Sequence, residues 1–433
     1  MAESRTLFHA GEPPSRAEKF FVAVALLLST GAFMNLGIKP GDVPSHVPSA
    51  VSLSITGLIY LITLILLNRH CKGFIRILLR EWPLVALAGL AMASALWSQV
   101  PGASLRHGVA LLLTFLFGLY LSLRYNLREQ LRLLAWVCGI CVIFSFIFGL
   151  LGLGTSVDAA DGVPGWYGVF GQKNSLGQTM ALSALIFLFW RRSEPKHRRL
   201  ASAGFLASVL LIALSQSMTA ILVVVLLLML TPYVLWASRK TTQWIVAGFA
   251  SLAVAGAGLL VFVATHLPEV TGSLGKSVTL TGRIQIWILS IFMALRRPWL
   301  GYGYTAFWLP DERYVQRIWQ LLGWAVPHAH NGFIELWLEL GLCGLGIFVA
   351  GLAIYVWRSL RFLVRQRVPE AAWPLVFLAF IFLSNITQVN LLYSNSIFVV
   401  LYAAAAVSTS PQRVAVRIPT TIAVPMRESP SIA

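Results

Sequence analysis

The chain has 433 residues, of which 58% are hydrophobic and only 11% charged, with a mean hydropathy of +0.77. Soluble globular domains carry roughly 25% charged residues, so a water-soluble fold is excluded and an all-α polytopic membrane protein is expected. The net charge of +17 would suit a nucleic-acid binder, but its distribution along the chain argues for membrane topology instead.

A bilayer core of about 30 Å takes roughly 20 apolar residues per helix. In chain order this ruler marks about twelve spans, near 20–38, 51–67, 82–97, 108–123, 133–154, 176–190, 201–216, 219–237, 243–265, 331–357, 371–389 and 394–409. With the N-terminus inside, segments 1–19, 68–81, 124–132, 191–199, 238–242, 358–370 and the tail after 409 hold 24 of the 33 Lys and Arg. The other nine are Lys39, Arg106, Lys173, Lys276, Arg283, Arg296, Arg297, Arg313 and Arg317. Short basic loops stay on the cytoplasmic side, so both termini are placed inside. The expected layout is a cytoplasmic N-terminus (1–19), nine helices (20–265), a large periplasmic loop (266–330), three helices (331–409) and a cytoplasmic tail (410–433). The basic excess then reflects topology and contact with anionic membrane lipids; nucleic acid is not implied as a partner.

The first apolar run follows a polar stretch and lacks a small-residue cleavage site, so no cleavable signal peptide is read. Cys138 and Cys141 form a C-x-x-C inside an apolar run; without a second pair it reads as helix packing. The 266–330 loop is far longer than any other connection, and such loops are usually functional or disordered. Its segment Thr281-Gly282-Arg283-Ile284-Gln285-Ile286-Trp287 and the apolar residues to Leu295 are too apolar for disorder and too interrupted to span. A short interfacial or re-entrant helix fits them. Gly301-Tyr302-Gly303-Tyr304 after Pro298 reads as a turn.

With this topology the unusual polar residues gather on the outer face. Lys173 and Asn174 open one helix, and Ser215-Gln216-Ser217-Met218-Thr219 forms a turn between two others. Arg283 opens the loop helix, while His328, His330, Asn331 and Glu335 close the loop. Each has a bland reading. Lys173 serves equally well as a snorkelling cation, Asn174 and Ser175 as caps, and Ser217 and its neighbours as backbone-bonded hydroxyls. Glu335 serves as well in structural pairing as in chemistry. Their convergence is the argument, and His-x-His-Asn is not a packing pattern.

Outer Lys and Arg suit a phosphate or pyrophosphate, and a neutral histidine suits a general base that removes a hydroxyl proton. Together these parts describe glycosyl transfer from a lipid-pyrophosphate donor. Trp299, Tyr302, Tyr304, Trp308, Tyr314, Trp319 and Trp324 are available to stack on sugar rings or to anchor at the interface. The sequence carries no D-x-D or paired-carboxylate motif, and His328 and His330 have no further outer His or Cys beside them. A metal-independent reaction without a cofactor is therefore expected.

Phe170-Gly171-Gln172-Lys173-Asn174-Ser175-Leu176-Gly177, Thr281-Gly282-Arg283-Ile284-Gln285-Ile286-Trp287, Gly301-Tyr302-Gly303 and His328-Ala329-His330-Asn331 through Glu335-Leu336 occur in this order. From about residue 165 to 350 the chain resembles the O-antigen ligase and polymerase family of bacterial inner-membrane glycosyltransferases. The resemblance implies a GT-C-like helical fold, a multi-pass place in the inner membrane and a site facing the periplasm. It also implies an undecaprenyl-pyrophosphate-linked glycan donor, with a glycan or lipid A core as acceptor. Arg283 would match the family arginine and His330 the essential histidine. Where the family often carries a second arginine after Ser-x-Ser, this chain has Met218, which makes Lys173 the candidate for the missing charge. The Phe-Gly-x-Lys-Asn form is closer to exopolysaccharide polymerases than to ligases. A transporter is the opposing class, but transporters place ionisable groups near the midplane, often on paired repeats. A non-catalytic assembly subunit would leave His330 replaceable.

Overall fold

The computed structural model describes residues 13–33, 50–71, 74–157, 164–237, 283–366 and 368–410, with five isolated residues between 243 and 251. The chain runs through α1 (Arg16–Ser29), α2 (Ala50–His70), α3 (Phe74–Arg80), α4 (Trp82–Ala93), α5 (Pro101–Arg124) and α6 (Leu127–Leu150). A small hairpin follows, β1 (Thr155–Val157) antiparallel to β2 (Pro164–Trp166) with Thr155 opposite Trp166. Next come α7 (Lys173–Ser193), α8 (Arg198–Leu214), α9 (Met218–Ala237), α10 (Arg283–Arg296), α11 (Arg313–Leu322), α12 (Gly332–Gln366), α13 (Trp373–Asn385) and α14 (Ile397–Ser408).

Eleven of the twelve expected spans coincide with one of these helices. All but five residues of the twelfth, 243–265, fall outside the described residues, as do 266–282, the N-terminus to residue 12 and the tail after 410. Six described helices are long and apolar enough to cross a membrane, or seven if the bent pair α3–α4 counts as one span. The chain is therefore a multi-pass, mostly helical membrane protein. α13 and α14 are shorter, and α7 is buried along most of its length between α6, α8 and α9. A helix wrapped by protein has less need of a full-length apolar surface.

Two features depart from the sequence reading. Residues 74–80, expected in a loop, form a helix that meets Trp82–Leu96 at 84°. Pro83 stands in the first turn of α4, where its missing N–H is harmless, and Glu81 at the corner pairs with Arg358 at 2.6 Å. The β1–β2 hairpin was also unexpected, in a segment read only as a loop.

The two ends of the bundle differ in charge. Glu18–Arg124 at 2.6 Å, Arg128–Glu370 at 2.9 Å, Arg132–Glu194 at 2.5 Å and Glu81–Arg358 cluster where α5, α7 and α12 end and α1, α6 and α13 begin. They tie together the segments read from sequence as basic loops. Lys173 lies at the other end of α7, about 30 Å away by the helical rise.

That opposite end is organised by a break in α12. Gly341 is non-helical at φ 68° and ψ −171°, so the regular bonds from Leu342 N and Cys343 N to Leu338 O and Glu339 O are lost. The loop after α10 supplies replacements. Tyr302 N and Gly303 N donate to Leu338 O (2.8 Å) and Glu339 O (2.9 Å). Leu342 N and Cys343 N donate to Pro298 O (2.7 Å) and Trp299 O (3.2 Å). The Gly-Tyr-Gly turn thus splints a broken helix. Tyr304 then enters the bundle fully buried: its N–H donates to Ser94 Oγ, its carbonyl accepts from Ser104 Oγ and its hydroxyl donates to Leu392 O.

A side chain at Gly341 would meet Trp299 O at 2.0 Å in a left-handed conformation. Gly341→Ala is expected to cost about 2 kcal/mol or more and to lower the thermal unfolding midpoint in detergent. A wild-type midpoint would mean that the splint contributes nothing.

Candidate active site

The turn His328-Ala329-His330 precedes α12, with His330 at φ 52°, a conformation that non-glycine residues adopt only when their surroundings impose it. Here the surroundings are visible. Glu335, 5% exposed, accepts the Ala329 N–H at 2.7 Å and the Trp308 Nε1–H at 3.1 Å on its Oε2. Asn331 caps α12, its Oδ1 accepting from Phe333 N (3.0 Å) and Ile334 N (3.1 Å), while its Nδ2 donates to Ile386 O at 2.9 Å. The His330 N–H donates to His328 Nδ1 at 3.2 Å, which puts the proton of a neutral His328 on Nε2. The two rings lie 4.1 Å apart. Glu335 and Asn331, expected to bind substrate, spend these atoms holding the turn in place.

The cationic residues come from other segments. Arg283 Nη1 donates to Thr219 Oγ1 at 3.1 Å, and Ser217 Oγ donates to Asn174 Oδ1 at 2.9 Å. Lys173, 8% exposed, is the first residue of α7. A Cβ at Gly177 would sit 2.8 Å from Ser217 Cβ and 2.9 Å from Ala220 Cβ, so only glycine lets α9 approach α7 this closely. Three helices begin in this region, at Lys173, Met218 and Gly332, and the described part of α10 starts there at Arg283. The helix dipoles favour an anion, and Lys173 and Arg283 add formal charge. The four segments singled out in the sequence therefore meet, with Arg283 near enough to act on both histidines.

That proximity sets the histidine chemistry. Burial and then the charge of Arg283 push His328 down to about 4. Burial, His328 and Arg283 push His330 down to about 2. Both rings are neutral at pH 7. His330 Nδ1 is buried with no hydrogen-bond partner among the described residues. The arrangement can bind an anionic group beside a neutral nitrogen base.

The loop aromatics divide in two. Tyr302, Tyr304 and Trp308 are buried, and Tyr302, Phe307 and Tyr314 pack on one another. Tyr304 sits in the bundle core and the others form the loop's own core, so none of them is a free sugar platform. Trp324 is 38% exposed and lies 6.2 Å from the His330 ring, the position a stacking platform requires.

Sequence reading overlooked the connection between α13 and α14. Asn390 Nδ2 donates to Gln178 Oε1, Asn390 N and Leu391 N donate to Asn385 Oδ1 at 2.7 and 3.1 Å, and Ile386 O receives Asn331. This loop therefore bridges α7 and the histidine turn. The signal was the polar run Ser384-Asn385-Ile386-Thr387-Gln388-Val389-Asn390 between two apolar segments, which the span assignment absorbed.

Residues 203–349 match the O-antigen ligase family model. The resemblance drawn from the motifs stands. Over 336 residues, covering 75% of this chain and 76% of the relative, the sequence is 29% identical to the exopolysaccharide production protein ExoQ of Rhizobium meliloti (strain 1021). The family match contains Ser217, Arg283, His328, His330, Asn331 and Glu335; Lys173 and Asn174 lie before it.

Glu335→Ala would leave two buried N–H donors without an acceptor, at about 1–3 kcal/mol each. It is expected to lower the thermal midpoint, and with it whatever activity the site carries, while Glu335→Gln, which keeps an acceptor oxygen, recovers most of both. Equal losses in the two variants would show that the carboxylate's charge matters more than its hold on the turn.

Proposed function

We propose that this membrane protein is a glycosyltransferase that extends a polysaccharide on the periplasmic side of the bacterial inner membrane, taking glycan from an undecaprenyl-pyrophosphate-linked donor. The observation that carries the reading is the neutral, half-buried His330 within electrostatic reach of Arg283, in a region to which Lys173 also contributes. In the proposed step, the His330 ring takes the proton of an acceptor sugar hydroxyl as that oxygen bonds to the donor's anomeric carbon. The anomeric bond to the pyrophosphate breaks, and its electron pair leaves with undecaprenyl pyrophosphate. Arg283 and Lys173, aided by the helix N-termini, offset the charge of the leaving group. Lys173 takes the place of the arginine that Met218 does not provide. Glu335, Asn331 and His328 hold the base in place, and Asn174 with Ser217 fixes the start of α7. Transfer proceeds through protein groups alone in this reading, without a bound metal.

The exopolysaccharide role in the name of the Rhizobium relative supports polymerisation of repeat units. The ligase family match favours a second reading, in which the acceptor is lipid A core. Purified protein given only the lipid-linked repeat unit distinguishes them: a polymerase makes long chains, whereas a ligase needs added lipid A core. His330→Ala is expected to abolish transfer while leaving membrane protein levels unchanged; near-normal product would remove it as base. Lys173→Ala is expected to impair donor use more than Lys276→Ala, and equal, mild effects would return Lys173 to a snorkelling role.

A pH profile gives an independent check. A base is competent only when unprotonated, and burial, His328 and Arg283 hold His330 below its ordinary value of 6.5. The acid limb of kcat/KM, which reports the free enzyme, is therefore expected below pH 6.5. Removing the nearby positive charge in Arg283→Gln should move the limb upward. A wild-type limb above pH 6.5 would exclude a neutral His330 as base.

A further inference from the structure

The loop between α13 and α14 has polar groups that the fold leaves unused. Gln178 and Gln388 are 5% and 8% exposed, yet the Nε2 of each is buried without a hydrogen-bond partner among the described residues, as is Thr387 Oγ1. An unmet buried donor costs about 1–3 kcal/mol, and three around one loop suggest a ligand that supplies their partners. Their position is defined by the surrounding bonds. Asn331, next to His330, donates to Ile386 O at 2.9 Å, and Ile386 precedes Thr387. Gln178 lies five residues into the helix that starts at Lys173 and is held by Asn390. A Cβ at Gly332 would lie 2.3 Å from Asn385 Oδ1, so loop and histidine turn are in direct contact.

These groups differ from the cationic residues in kind. Amides and hydroxyls are neutral donors and acceptors, suited to the hydroxyl and ring oxygens of an uncharged sugar and poorly suited to a pyrophosphate. We infer that Gln178, Thr387 and Gln388 form a neutral sugar-binding subsite beside His330, distinct from the cationic subsite of Lys173 and Arg283. The inference rests on the glycan-transfer reading and divides its site into two chemical halves. Trp324, whose ring lies 6.2 Å from that of His330, offers a ring face to the sugar.

Thr387→Val and Gln388→Met are near-isosteric and remove Thr387 Oγ1 and Gln388 Nε2, which have no hydrogen-bond partner among the described residues. A purely structural role predicts that they damage the fold; a ligand role predicts unchanged or raised thermal midpoints with weaker sugar binding. The test uses the full chain in lipid nanodiscs and two probes. One is the lipid-free repeat-unit oligosaccharide released from the producing cell's polysaccharide, and the other is inorganic pyrophosphate. Each substitution is expected to weaken oligosaccharide binding about tenfold, as for one lost hydrogen bond, and to leave pyrophosphate binding unchanged. Arg283→Gln is expected to do the reverse. Wild-type oligosaccharide affinity in both variants would overturn the subsite while leaving the glycan-transfer reading intact. Joint loss of both ligands with a lowered midpoint would also overturn it, in favour of a structural role. If the wild-type protein binds neither probe, the glycan-transfer reading fails and the subsite with it.

Discussion

A backbone break in a membrane protein must find hydrogen bonds from other protein groups, because lipid offers none. α12 breaks at Gly341, and the loop after α10 satisfies both sides with the N–H groups of Tyr302 and Gly303 and the carbonyls of Pro298 and Trp299. This requirement fixes the large loop against the bundle. It seats Tyr304 among α4, α5 and the α13–α14 connection, and brings Trp308 over the first turns of α12. Trp308 and Ala329 then share the Glu335 carboxylate, so the histidine turn rests on the same interlock.

The protein separates its charges along the length of α7. At one end carboxylates meet arginines as close ion pairs that join segments distant in sequence. At the other end α7, α9 and α12 begin, and cations are placed where helix dipoles already favour an anion. A neutral base fits into this positive region because burial and the neighbouring charges act in the same direction on the imidazoles. In the proposed reaction, a bound pyrophosphate would offset the charge of Arg283 and make His330 more basic, which would link donor binding to base strength through one arginine.

Some roles changed once the geometry was known. Glu335 and Asn331 drew attention as polar residues at a membrane boundary, and the structure employs both in holding the His328–His330 turn. The loop aromatics mostly became loop core, because a long extramembrane segment needs an apolar interior of its own. Thr219, one of the neighbours of Ser217 read as backbone-bonded hydroxyls, receives Arg283. Gln178 and the 385–390 segment went unnoticed because a short polar run between two apolar ones resembles an ordinary connection.

The membrane class, the helices over eleven expected spans and the four polar segments were determined by the sequence alone. Apolar length and basic-loop asymmetry are local properties of the chain, and so is the order of the Lys-Asn, Gly-Arg and His-x-His-Asn motifs. Which atoms meet was decided only by tertiary structure. The break at Gly341, the sharp corner at Glu81, the reach of Asn331 to Ile386 and the partnership of Glu335 with Trp308 all join residues far apart in sequence or depend on such a contact. The hydrogen-bonding needs of buried backbone and side chains select those partners, and they take effect only after the helices have packed.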